Sequence, residues 1–115
     1  MRPITTLLAS LALLASSSMS VMALESFAVV SASGNLVRGD DTVGANRVGT
    51  GRFTVTFDHS VSRCGYVASI GSKDDSNPPS GAAAVATRSN SKVYVETRNL
   101  AGILVSLPFH LVVIC

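Results

Sequence analysis

Tryptophan is absent from this 115-residue chain, and cysteine, histidine and tyrosine occur only twice each. Carbohydrate modules commonly stack sugars on exposed aromatic faces, and here only Tyr94 is placed by its surroundings to face outward, so sugar binding is weakly supported. A zinc site needs three or four Cys, His or carboxylate ligands. With the cysteines paired to each other, His59 and His110 do not make one, and no cofactor is implied. Calcium has more to be said for it, since Asp74, Asp75 and Asn77 share a loop and Asp40 adjoins Asp41. No EF-hand or nonapeptide pattern accompanies them, so they read as solvated acidic turns and no metal site is assigned.

Charge clusters are missing as well. The formal net charge is +2, and past Arg2 the basic residues are scattered between Arg38 and Arg98. Nucleic acid and anionic lipid both call for clustered Lys and Arg, so neither is an expected partner. No G-x-S-x-G elbow occurs and the serines gather in loops. His59 lies in Asp58-His59-Ser60, ordinary composition for a hairpin turn, and His110 lies on a strand where it would hydrogen-bond at a sheet face. A catalytic triad assembled by folding leaves no local trace, so a small secreted hydrolase is the alternative reading and a non-catalytic module the leading one.

Apolar runs long enough to cross a bilayer, about 20 residues, are also lacking. The N-terminus instead has three short parts: a positive Met1-Arg2, an apolar run from Ile4 to Leu14, and a small-residue tail closing on Val21-Met22-Ala23. That is the pattern of a cleaved signal peptide over residues 1–23, with a mature domain at 24–115 and a secreted or periplasmic location. Export into an oxidising compartment favours a bond between Cys64 and Cys115. Closing a loop of about 50 residues is worth roughly 4 kcal/mol in the chain-entropy model.

What the mature part does contain is alternation. In Arg52-Phe53-Thr54-Val55-Thr56-Phe57-Asp58 the apolar residues take every second place, and Lys92–Thr97 repeats the pattern. Period two with aromatic and β-branched residues marks half-buried strands. The run Phe109–Cys115 is apolar on nearly both faces, which suits a central strand between layers. Weaker strands are expected at Phe27–Ser31, Val43–Val48, Cys64–Ile70, Ala82–Thr87 and Ile103–Val105. Turn chemistry falls at Ser33-Gly34-Asn35, Gly39-Asp40-Asp41, Gly49-Thr50-Gly51 and Asn99–Gly102, and nothing past Ala23 has helical periodicity. The expected fold is therefore all-β: a single small antiparallel β-sandwich, jelly-roll-like, of about eight short strands. If the face carrying Cys64, Tyr66, Ala68 and Ile70 looks toward Cys115, the disulfide closes across the core.

Two loops stand out as candidate binding segments. The polar stretch Gly71–Gly81 holds Asp74, Asp75 and Asn77 and is the one long connection. Arg38-Gly39-Asp40 spells the tripeptide that integrins recognise, although Arg-Gly-Asp-Asp is also ordinary surface-turn chemistry and is read so here.

The strings Asn35–Gly39, Val48–Phe57, Val61–Ala68, Val93–Thr97 and Pro108–Cys115 together resemble a small all-β domain recurring in exported bacterial proteins. Such domains are similar in pattern to the β-sandwich tips of trimeric fibres and adhesins. The resemblance implies no established activity and no catalytic residue. It is compatible with a homo-oligomer and with a ligand on a surface or outside the cell.

Overall fold

The strands fall where alternation puts apolar side chains on one side of an extended backbone. The computed structural model describes residues 25–115, so the expected signal peptide lies outside the described residues. Eight strands follow one another: β1 (Glu25–Val30), β2 (Leu36–Asp40), β3 (Thr42–Gly49), β4 (Arg52–Phe57), β5 (Gly65–Ile70), β6 (Ala82–Ser89), β7 (Lys92–Arg98) and β8 (Phe109–Ile114). They form two four-stranded antiparallel sheets, one ordered β2-β1-β8-β5 and the other β3-β4-β7-β6. The all-β sandwich expected from the sequence is present, with no helix among the described residues.

The inner faces supply one core. Phe53, Val55 and Phe57 of β4, Val93 and Val95 of β7, and Phe109, Leu111 and Val113 of β8 are fully or almost fully buried, as are Ala28 and Val30 of β1. Phe53 and Phe109 meet edge to face across the sheets, ring centroids 5.0 Å apart, the arrangement the ring quadrupole favours. Val61, on the crossing from β4 to β5, is buried at one end of the core. It is held there by Val61 N donating to Asn90 O at 2.8 Å.

One strand changes identity. Ile103–Val105, expected as a strand, is irregular apart from a single bridge between Leu104 and Arg98. The Asn99 carboxamide captures the backbone there, accepting from Ala101 N at 2.9 Å and Ile103 N at 3.1 Å, a local bond that competes with sheet pairing. Buried Thr97 then ties the segment down, donating to Val105 O at 2.6 Å and accepting from Leu107 N at 3.2 Å.

Conversely, Arg38-Gly39-Asp40 is not a turn. It belongs to β2, paired with β1 through Arg38 opposite Val29, Gly39 opposite Ala28 and Asp40 opposite Phe27. The reversal comes earlier, where Ser31 and Asn35 close a turn around Gly34. Gly39 is there for close approach: a Cβ on it would collide with Thr42 Oγ1 and come within 2.8 Å of Phe27 O. The chain changes sheets at Asp41, the one described non-glycine residue with positive φ, 58°.

The disulfide joins Cys64 to Cys115, Cα atoms 4.3 Å apart. It does not cross the core. Cys64 precedes β5 and Cys115 follows β8, and these strands are neighbours in one sheet with Gly65 opposite Ile114. The bridge therefore clamps two adjacent strand ends at the rim. Tyr66, Ala68 and Ile70 do pack inward against the core, as does Cys64.

Candidate functional site

The outer face of the β2-β1-β8-β5 sheet carries the candidate loops. Register lines up Arg38, Val29, His110 and Ser69 in one row across the sheet, and Asp40, Phe27, Val112 and Val67 in the next. The loop after β5 folds back over the first row. His110 Nε2 lies 2.8 Å from Ser72 O, so this nitrogen carries the ring proton and donates it to the carbonyl. Arg38 Nη1 donates to Lys73 O at 2.9 Å. The two segments singled out in the sequence are thus in contact, and His110 does hydrogen-bond at a sheet face. Val29 lies in the row that the loop crosses and is only 3% exposed, although it points away from the core.

Within the loop, Asp74 serves local order. Its carboxylate accepts from Ser72 Oγ at 3.1 Å, from Ser76 N at 3.0 Å and from Ser76 Oγ, and pairs with Lys73 Nζ at 3.0 Å. These bonds, Ser76 foremost, hold its pKa well below the ordinary carboxylate range. Asp75 and Asn77 are exposed.

Beyond the loop the face is open and apolar. Phe27 is 40% exposed, Val67 62%, Val112 39% and Ile114 46%. The expectation that β8 lies between two layers is therefore corrected: only its inner face is covered by a sheet. Glu25 and Asp40 flank Phe27, the first two residues before it on β1 and the second directly opposite on β2. The central strands of the other sheet, β4 and β7, present a different outer face, built from Arg52, Thr54, Thr56, Lys92, Tyr94, Glu96 and Arg98, with Val43 and Val48 exposed on the edge strand β3. There Tyr94 donates to Glu96 Oε2 at 2.7 Å and the Arg88 guanidinium lies 4.1 Å from the Tyr94 ring centroid. Tyr94 faces outward as expected, but it is engaged by these neighbours.

A second grouping gathers residues that sequence reading left apart. Asp58-His59-Ser60 is not a hairpin turn; it opens the crossing from β4 to β5. That crossing runs beside the corner at Asp41, tied by Asp58 N donating to Asp41 O at 2.9 Å. The side chains of Asp41, Asp58 and His59 converge there, one donor atom of each lying within 4.8 Å of the others. His59 Nδ1 is 3.0 Å from Asp58 Oδ1. Ser26 Oγ, on the inner side of β1 and 2% exposed, is 3.3 Å from Asp41 Oδ2 and 3.5 Å from His59 Nε2. Asp40, adjacent in sequence, points outward with Phe27's row instead. Only the pairing of β1 with β2 and the sheet change after it bring residues 26, 41 and 58–59 together. The turn composition at Asp40-Asp41 and Asp58-His59 was the one signal available.

Comparison of the chain with known protein families, curated proteins and solved structures finds no match. The two-sheet all-β architecture is the part of the fibre-tip likeness that the structure carries.

Proposed function

We propose that this chain is an exported, non-catalytic binding or structural module, and that the open outer face of the β2-β1-β8-β5 sheet is where it meets its partner. The carrying observation is the unequal dressing of the two outer faces at their central strands: Phe27, Val67, Val112 and Ile114 stay in solvent on β1, β5 and β8, while β4 and β7 of the other sheet turn polar and charged side chains outward. A contiguous apolar patch with a polar rim is the usual mark of an interaction surface. The rim chooses the partner. Glu25 and Asp40 flank Phe27, and no Lys, Arg or His among the described residues bridges either carboxylate. The occupant is a protein surface with an apolar centre and a basic edge. The disulfide is consistent with an oxidising compartment, secreted or periplasmic, and a β-sandwich of this kind suits the tip of a bacterial surface fibre.

The absence of catalysis is supported by Ser26, His59 and Asp58. Their order of contacts is that of a triad, but the serine is buried. The Asp41 carboxylate, 3.3 Å from the hydroxyl, would repel the oxyanion that acyl transfer develops.

A photo-crosslinking residue in place of Val67, expressed in the exporting cell, tests the reading, with one in place of Thr54 on the polar face as control. The expected result is a defined adduct from position 67 only, to a partner segment containing Lys or Arg, lost when Val112 is also changed to Asp. An adduct to a second copy of this chain, or equal adducts from both positions, would overturn it. So would turnover of generic ester, peptide or glycoside substrates by the purified protein.

A further inference from the structure

We propose that two copies of this chain pair edge to edge through β6, antiparallel about a twofold axis at Val85, and so join their β3-β4-β7-β6 sheets into one continuous sheet. This does not rest on the partner surface above, which is the outer face of the other sheet and stays open.

The two open sides of the sandwich are guarded unequally. A free strand edge is a template for another chain, and short strands, charges, bulges and inward-pointing charged residues are the usual defences. The side formed by β2 and β3 uses them all. β2 is five residues long and carries Arg38 and Asp40, and its register with β1 shifts between Val29 and Val30. The register of β3 with β4 shifts twice, and Arg47 stands opposite buried Phe53, on the inner side. On the other side of the sandwich, β6 uses none. It is eight residues long, has no charge or proline between Ala82 and Thr87, and pairs with β7 over those residues without a break. Its first charge, Arg88, is folded back from the edge, the guanidinium 4.1 Å from the Tyr94 ring centroid on β7.

The sequence of β6 selects its own kind. About Val85 it reads nearly the same in both directions: Ala83-Ala84-Val85-Ala86-Thr87. A twofold contact needs a surface complementary to itself. With Val85 on the axis, Ala84 meets Ala86 of the second copy, Ala83 meets Thr87, and the two valines meet each other. Arg88 falls opposite Ala82, so no like charges face one another. Ala83 and Val85 are only half-buried against the core, and the pairing covers them.

The size is sufficient. Pairing from Ala82 to Arg88 forms about six to eight backbone hydrogen bonds, within the range of a specific interface. The paired edge is about 24 Å long at about 3.4 Å per residue. β5 packs beside β6, with Tyr66 Oη 3.0 Å from Thr87 Oγ1, so both sheets reach this side, which is about 20 Å wide with its side chains. The contact is then about 500 Å2 per copy and about 1,000 Å2 in all, the size at which a specific interface begins.

Sedimentation velocity of tag-free protein from the exporting cell, over a wide range of concentration, tests the pairing. The expected result is a monomer–dimer equilibrium. Ala84→Lys/Ala86→Lys sets lysine opposite lysine twice across the axis and should weaken the dimer about 10-fold or more. Ala84→Lys/Ala86→Glu sets lysine opposite glutamate twice and should restore it. Val112→Lys, on the outer face of the other sheet, should leave it unchanged. Thermal melts check that each variant is folded. Should the double-lysine variant not fold, Val85→Cys decides: mild oxidation must link two chains through residue 85, identified by mass spectrometry of the linked peptides. A wild type that stays monomeric, a dimer as strong with both lysines, a lysine–glutamate variant no better than the double-lysine one, or a dimer abolished by Val112→Lys would overturn the proposal.

Discussion

Tyr94, Glu96 and Arg98 stand on one face of β7, and their bonds set a pH dependence. Glu96 accepts from Tyr94 at 2.7 Å and from Arg98 at 3.0 Å, and these contacts, Tyr94 first, hold its carboxyl below the usual range. A carboxylate whose pKa is lowered by folding stabilises the fold above its ordinary pKa. That stability is lost as pH falls through the lowered value. For Tyr94 the sign reverses: burial and the neighbouring Glu96 raise its pKa, so its contribution is complete below the ordinary tyrosine pKa and is lost as pH rises through the raised one. Glu96→Gln should therefore lower Tm by a few degrees at neutral pH, as expected for a partly exposed pair. The gap should close as pH drops from about 5 to about 2 in thermal melts, and a gap constant over that range would show that the charge of Glu96 is not responsible. At Gly39 the effect is steric. Gly39→Ala places a methyl group against Thr42 Oγ1 and the Phe27 carbonyl and should cost about 1–3 kcal/mol in denaturant titration. The tripeptide Arg38-Gly39-Asp40 misleads as sequence because the same glycine that serves a turn also serves a strand pressed against a neighbouring backbone.

Strands with both alternation and bulk were legible: β4, β7 and β8 lie where Phe, Val and Tyr recur at period two. β2 was not, since Leu36–Asp40 has one glycine and two charges in five residues and owes its conformation to β1. Ile103–Val105 has the composition of a strand but follows an asparagine that turns its backbone away from any partner. At the level of elements, the disulfide fastens the ends of β5 and β8. Cys115→Ser should cost about 2–5 kcal/mol and lower Tm by ten degrees or more, and titration of the denatured, unreduced wild type should find no free thiol. The loop after β5 gives a separate test. Arg38 and His110 pin its first residues, so the loop is held at Lys73 even though it is polar and exposed. Trypsin should cut after Lys73 slowly in the wild type and several times faster in Arg38→Ala, with Tm little changed. Equal rates would mean that the bond does not restrain the loop.

For the molecule as a whole, the sequence announced two layers and a core but not which outer face would remain apolar, nor which distant groups would meet. Periodicity assigns a residue to one side of its strand; only the order of strands in a sheet says what lies beside it. Phe27, Val112 and Val67 come from β1, β8 and β5, and they form a row because β8 sits between the other two. The corner cluster is equally non-local. Leu111 and Val112 show the consequence most sharply, being neighbours on β8 with opposite surroundings: Leu111 is buried in the core and Val112 looks outward over the open face. Leu111→Lys should leave no folded protein, because a lysine there would have to lose its hydration with no counter-charge in the core. Val112→Lys should fold with a stability within about 0.5 kcal/mol of the wild type. It should also reduce the binding of a fluorescent hydrophobic dye, since it places a charge at the middle of the apolar row. If Val112→Lys destabilised the protein as Leu111→Lys does, the outer face would have to be covered in solution, and the apolar patch would be a second core instead of a surface.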